Sequence, residues 1–277
     1  MNRLSILIYH RVLLRPDPLL PSLPDVRRFD RQLSLLKRCF HVLPLSAALR
    51  GLQQQTLPPR AVAITFDDGY ADNADFALPV LQRHGLHATF FIASAYLNGG
   101  QMWNDDVIAH ARAARLAPQA LDQLLQQLKY QPFEDRQRTA RALAPPRQRD
   151  LMMTSAQVQT LVQAGMEIGA HTYRHPILAA VPDAEALADI RHGKHVLEEI
   201  IQLPVTTFAY PNGKPGADYH QRHVDMVRAL GFTSAFSTVA GAAYEGSDLL
   251  QLPRFTPWEP DRMRFLLRLL AQRRVAV

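Results

Sequence analysis

Asp67 and Asp68 end a short apolar run, Val62-Ala63-Ile64-Thr65-Phe66, and are followed at once by Gly69-Tyr70. Buried strands avoid aspartate, and two ionised carboxylates side by side repel unless a cation or a shared proton relieves them. The pair is expensive as scaffold and useful as chemistry. One carboxylate can hold a metal ion while its neighbour takes a proton from metal-bound water. Asp-Gly is also a common turn dipeptide, so these residues alone suit a plain strand-to-turn junction equally well.

A second polar cluster, His171-Thr172-Tyr173-Arg174-His175-Pro176, follows the apolar segment Glu167–Ala170. Pro176 disfavours helical backbone at His175, which places both histidines on a loop leaving a strand. Imidazole is the commonest metal-ligating side chain. Two histidines with one carboxylate suit zinc or another borderline divalent ion with positions left open. By themselves the histidines would read as solvated loop residues; beside the aspartate pair they read as ligands.

Positioning these groups requires strands that end together. Short apolar runs occur at Ser5–Tyr9, Val62–Phe66, Ala88–Ala93, Glu167–Ala170, Thr206–Ala209, Thr233–Ser237 and Leu249–Leu252. Between them, Phe29–Arg38, Ala74–His84, Ser155–Ala164, Asp183–Ile201 and Gln221–Leu230 carry apolar residues at three- and four-residue spacing, which predicts helices. Gly85, Gly165 and Gly231 stand at helix stops, and Thr154-Ser155 and Asp183 offer N-caps. Strands alternating with helices predict a parallel sheet, and this many repeats favours an α/β barrel. His10 follows the first run, Asp67 and Asp68 the second, His171 the fourth, and Tyr210-Pro211-Asn212-Gly213 the fifth. Parallel strands deliver the loops at their C-terminal ends to one face, so four segments converge on one mouth.

Residues 101–153 break the rhythm with a helical stretch at Leu121–Lys129 and a Pro145-Pro146-Arg147 turn. We read them as a helical insertion within a single domain spanning 1–277, placed to flank or cap the site. Pro16–Pro24 reads as a surface loop. The C-terminal Arg262–Arg274 stretch is basic and amphipathic, the pattern of a last barrel helix or of a helix lying on a membrane surface.

The chain of 277 residues is 47% apolar and 20% charged, ordinary values for a globular protein with one large core. Its single cysteine, Cys39, excludes an intrachain disulfide and a cysteine-rich zinc site, and suits the core. Lysine and arginine are scattered despite a net charge of +6, so nucleic acid is not an expected partner. An anionic substrate or a workplace beside a membrane explains the basic balance instead. The N-terminal apolar run is too short for a signal peptide, and no stretch approaches the roughly 18 apolar residues of a membrane span. A cytoplasmic protein is expected, with peripheral membrane contact open.

Three motifs together resemble the polysaccharide deacetylases of carbohydrate esterase family 4: Thr65-Phe66-Asp67-Asp68-Gly69-Tyr70, then His171-Thr172-Tyr173-Arg174-His175-Pro176, then Phe208-Ala209-Tyr210-Pro211-Asn212-Gly213. The resemblance covers roughly residues 5–255 and matches poorly over the insertion. It implies a distorted (β/α)7-8 barrel that removes acetyl groups from N-acetylated, sometimes O-acetylated, sugars. It further implies that Asp68, His171 and His175 hold a divalent metal, zinc first, with cobalt, manganese, nickel or iron as alternatives. Asp67 is then the base acting on metal-bound water, and a backbone N–H in the loop Tyr210, Pro211, Asn212, Gly213 helps to bind the oxyanion. Trp103 is the expected aromatic wall for an acetylated carbohydrate, with Asn104, Asp105, Asp106 and Trp258 as further candidates.

Two departures stand out. The arginine that usually braces the catalytic aspartate is replaced by Ala209, and Arg254 is the candidate substitute. The late Leu-x-His motif that supplies the general acid is absent. Tyr9-His10-Arg11 resembles the permuted subset acting on poly-N-acetylglucosamine, which makes His10 the expected acid. Alternatives are a cyclic amide or ureide hydrolase of the same fold, a non-catalytic glycan-binding barrel, and a non-haem iron oxygenase using the same two-histidine, one-carboxylate set.

Overall fold

Seven parallel strands form the sheet of the computed structural model, which describes residues 3–144, 151–273 and 275. They are β1 (Leu4–Tyr9), β2 (His41–Val42), β3 (Ala61–Phe66), β4 (Thr89–Ile92), β5 (Glu167–Ala170), β6 (Thr207–Ala209) and β7 (Ser234–Phe236). The order is β1-β3-β4-β5-β6-β7. All six residues of β3 pair with β1 on one edge; on the other, Ala61 and Val62 pair with β2, and Thr65 and Phe66 with β4. The strands expected from the apolar runs thus form, except the last. The expected Pro145-Pro146-Arg147 turn lies outside the described residues.

Leu249–Leu252 is not a strand. Residues 249–255 instead cross the gap between β7 and β1 through single parallel bridges, Phe236 to Leu252 and Leu7 to Phe255. Ser237 N–H donates to Leu252 O, and Phe255 N–H to Ile6 O. Pro253 has no N–H to give to a ladder, which explains why the closing segment stays irregular. The result is a distorted barrel whose seam is an arm rather than a strand.

Alternate strand residues face two separate cores. Leu4, Ile6, Ala61, Ala63, Phe91, Ala209 and Phe236 point inward and pack with Leu45, Ala48, Leu49 and Leu52 of α2 (Leu45–Gln53). Leu7, Tyr9, Val62, Ile64, Phe66 and Phe90 face outward under the surrounding helices. Those helices include α1 (Val26–Cys39), α3 (Leu78–His84), α7 (Ser155–Gln163), α8 (Asp183–Ile201) and α9 (Gln221–Ala229), matching the expected stretches. A π-helical turn at Asn73–Ala77 leads into α3. Thr154 caps α7, with its hydroxyl accepting from Gln157 N–H at 3.2 Å. Asp183 is not a cap: Pro182 occupies that position, and Asp183 sits in the first turn, paired with Arg222 at 2.7 Å. Cys39 is half-buried against the outer core.

Three helices, α4 (Trp103–Ala113), α5 (Pro118–Lys129) and α6 (Phe133–Leu143), pack around Trp103, Val107, Leu121 and Leu128 as a satellite cluster. They follow β4 and lean over the mouth of the barrel. The last helix, α10 (Arg262–Gln272), buries Phe265 and Leu269 and leaves Met263 and Leu267 exposed. No helix among the described residues is long and apolar enough to cross a membrane.

Gly193 lets α8 approach the loop after β5. A Cβ there would stand 2.5 Å from the Thr172 carbonyl oxygen, inside contact distance with backbone. Gly193→Ala is expected to lower stability by about 1–3 kcal/mol. Chemical denaturation would measure it, and an unchanged midpoint would mean that the helix shifts without cost.

Candidate active site

Asp67 extends the β3 ladder by donating its N–H to Tyr9 O at 2.9 Å, and the chain then turns sharply. Asp68 and Gly69 have φ of 77° and 94°, the left-handed region that glycine tolerates and aspartate enters at a cost. The turn separates the two carboxylates. Asp67 meets Arg254, whose Nη1 and Nη2 donate to Oδ1 and Oδ2, each at 2.7 Å. Arg254 Nε donates to Ser237 O at 2.9 Å, fixing the guanidinium plane. Asp67 and Arg254 are 2% and 1% exposed, so this is a fully buried, two-pronged ion pair.

Asp68 turns toward the histidines. Its Oδ1 lies 3.5 Å from Nε2 of both His171 and His175, and the two Nε2 atoms are 3.1 Å apart. His171 Nδ1 is 2.7 Å from Ala209 O, so that nitrogen carries the proton and donates it, leaving the Nε2 lone pair turned inward. Thr172 and His175 also have positive φ, 64° and 55°. The loop is held from behind: Thr172 Oγ1 accepts from His175 N–H at 3.0 Å, and Asp189 Oδ1 accepts from the Tyr173 and Arg174 N–H groups.

Charge states follow from these contacts. Burial opposes ionisation of Asp67, but Arg254 and His171 outweigh it and hold the carboxyl below its usual range. Burial also opposes ionisation of Asp68, yet the His171 contact and the facing histidines hold it low. His175 is pushed down to about 3, first by burial and then by His171. His171 moves up, because Asp67 and Asp68 outweigh its burial. The cluster therefore takes up a proton on His171 more readily than on His175.

These groups floor a cavity of about 330 Å³. His10, Asp67, Asp68, His171, His175, Asn212 and Thr238 line it from the barrel; Met102, Trp103, Asn104, Leu125, Gln126 and Lys129 line it from the helical insertion side. The model of the polysaccharide deacetylase family matches residues 54–235, well over half of the chain. The chain belongs to the polysaccharide deacetylase family. It is 21% identical over 254 residues to YxkH of Bacillus subtilis (strain 168), itself named for these deacetylases, covering 91% of this chain and 70% of that one. In fold it is similar to the Streptococcus pyogenes deacetylase PplD, solved in complex with acetate: TM-score 0.68, 20% identity, 95% of this chain and 96% of that one. IcaB from Ammonifex degensii is equally similar, with TM-score 0.68, 20% identity, and coverage of 98% and 97%. Membership makes the protein a carbohydrate deacetylase, and so a hydrolase.

Deacetylases of this family depend on a metal, and the donor chemistry here fits one. Asp68, His171 and His175 each offer a ligand atom, all within 4.8 Å of one another. Two imidazole lone pairs aimed at each other beside a carboxylate need a cation or a proton between them. Arg254 stands where the sequence suggested a substitute brace, and it reaches Asp67 from the closing arm.

Other expectations need correction. The Tyr210 side chain turns away from the cavity, stacks on Tyr219 at 3.8 Å and donates to Leu250 O. Pro211 and Gly213 do not line the cavity; Asn212 does. Trp258 lies apart, half-exposed over Arg268, and Asp105 faces a separate cavity with Arg11 and Arg112. Trp103 is at the cavity but is also core, 9% exposed and covered by the Arg136 guanidinium. The sequence reading passed over Lys129, Gln126, Thr238 and Met102, because each looks locally like an ordinary helix or loop residue.

Removing Arg254 should leave Asp67 buried and unpaired. Arg254→Met is expected to cost about 3–5 kcal/mol in denaturant unfolding; a cost under about 1 kcal/mol would mean that Asp67 is neutral or hydrated. A proton on His171 competes with any cation at the cluster. Affinity for zinc should therefore weaken as pH falls through the raised His171 pKa, with net proton release on binding. Calorimetry in buffers of different ionisation heat checks this, and a binding constant independent of pH would contradict it.

Proposed function

We propose that this protein is a metal-dependent deacetylase of N-acetylhexosamine units in a surface polysaccharide or glycan precursor, with Asp68, His171 and His175 holding the ion, zinc first. The observation that carries this reading is the division of labour between neighbouring aspartates: Asp67 clasped by Arg254, Asp68 aimed at two histidines.

A divalent ion bound there would polarise the acetyl carbonyl and make water a better nucleophile. Asp67 supplies the base. The Arg254 fork occupies one lone-pair site on each carboxylate oxygen and leaves others to accept a proton from the attacking water. Its depressed pKa keeps it ionised at neutral pH. His10, at the end of β1, lines the same cavity and would protonate the leaving nitrogen as the amide C–N bond breaks and the new C–O bond gives acetate. Asn73 Nδ2 donates to His10 O at 2.9 Å and fixes that backbone.

The loop after β6 has one N–H to offer an oxyanion. Tyr210 N–H donates to Phe236 O, Gly213 N–H donates to Pro211 O, and Pro211 has none, which leaves Asn212. Met102, Trp103 and Leu125 give the cavity apolar walls suited to the face of a sugar ring. The non-catalytic reading drew its support from the missing third-motif arginine. Arg254 on Asp67 removes that support.

Asp67→Asn should lower acetate release from N-acetylglucosamine oligomers by about 10²–10⁴-fold, with metal stoichiometry unchanged. Retained turnover would sink the base assignment. His10→Gln should slow acetate release by about 10²–10⁴-fold with metal stoichiometry unchanged. Unchanged turnover would discard His10.

A further inference from the structure

Arg136 of α6 is 2% exposed, yet among the described residues no carboxylate pairs with it. A guanidinium taken out of water without a counter-charge is costly, and a methionine would fill the space without that cost. What Arg136 holds explains its presence. Its Nη1 donates to Lys129 O at 2.8 Å, at the end of α5, where a helix favours a cation. Its Cζ stands 5.0 Å from the Trp103 ring centre on α4 and 5.4 Å from the Phe133 ring centre at the start of α6. One buried side chain thus ties together all three helices of the insertion.

Phe133 carries the connection to the histidine loop. The Arg174 Cζ lies 5.1 Å from the same ring centre. Arg174 stands between His171 and His175 and is itself fixed, donating to Asp189 at 2.8 Å and to Glu185 at 2.6 Å on α8. Tyr96 OH donates to Arg174 O at 2.8 Å. Trp103, Arg136, Phe133 and Arg174 therefore form a continuous run of ring and cation contacts, from the cavity wall to the loop bearing both histidines. Guanidinium groups are weakly hydrated and stack on aromatic faces, which suits a dry link of this kind.

We propose that Phe133 and Arg136 are positioning residues, which hold the Trp103 ring in register with the histidine loop so that a bound sugar presents its acetyl group to the site. This deepens the deacetylase reading and rests on it for the role of Trp103 as a sugar-binding wall. Neither residue lines the cavity, and both act through Trp103. Their loss weakens binding and leaves the chemical step in place.

The chain has two tryptophans, so Trp258→Phe leaves Trp103 as the only one. In that background Phe133→Leu should make Trp103 more quenchable by acrylamide, with metal stoichiometry unchanged. KM for N-acetylglucosamine oligomers should rise about tenfold, with kcat within about threefold of the parent. Arg136→Lys keeps the charge, loses the plane and should do the same. Phe133→Tyr keeps the ring and should return both readouts to the parent values. Trp103 quenching unchanged in both Phe133→Leu and Arg136→Lys overturns the link. A loosened Trp103 with the parental KM, or a loss confined to kcat, overturns its part in binding. The quenching comparison needs no substrate. If the parent releases acetate from no oligomer, the deacetylase reading fails, while a loosened Trp103 leaves the link standing.

Discussion

The fork between Arg254 and Asp67 ties the closure of the barrel to the chemistry at its mouth. Taking two charges out of water costs several kcal/mol per ion, and an apolar pair of the same shape is often no less stable. Such a contact is weak evidence for stability and better evidence for a task. It orients Asp67, keeps it ionised and leaves lone pairs free toward the cavity. It exists only because the arm after β7 crosses to β1, with Arg254 N–H donating to Val239 O and the guanidinium reaching Ser237 O on the way. Pro253 makes that arm irregular, and the irregularity places Arg254 next to the end of β3.

Strain gathers at the same mouth. Asp68, Thr172, His175 and Asn212 all adopt left-handed backbone, which costs an L-residue roughly 1–2 kcal/mol each. The surroundings hold them there. Asp189 accepts from two successive N–H groups of the histidine loop, Thr172 braces His175, and Gly193 brings α8 within contact of Thr172. Thr238 Oγ1 donates to Asn212 O at 2.6 Å. Rigid elements beneath strained turns aim carboxylate and imidazole groups at one point, where relaxed loops would spread them.

The sequence reading located most strands because β1 and β3 are buried on both faces, giving apolar runs that end abruptly in polar residues. It missed β2, since two residues leave no period to detect. It passed over α2, whose nine residues have no side-chain cap. It drew a strand at Leu249–Leu252 from apolar content, where Pro253 decides otherwise. At the site, His10, Asp67, Asp68 and His171 were legible because each follows directly on a strand, and His175 because it stands four residues beyond His171. Which N–H of the Tyr210–Gly213 loop faces the cavity was not legible, because the pairing of Tyr210 N–H with Phe236 O and of Gly213 N–H with Pro211 O is set by the fold. Lys129 was invisible for another reason: a lysine at the end of a helix looks solvated until the fold leans that helix over a cavity.

The central claim is that this constellation works through a metal held by Asp68, His171 and His175. The most direct measurement is acetate release from an N-acetylated sugar by the purified protein, before chelation, after removal of bound metal, and after restoring one divalent ion at a time. The account predicts activity lost with the metal and regained with zinc or a similar ion, to an extent matching occupancy of one site per chain. Acetate release that continues at full rate from metal-free protein would contradict it.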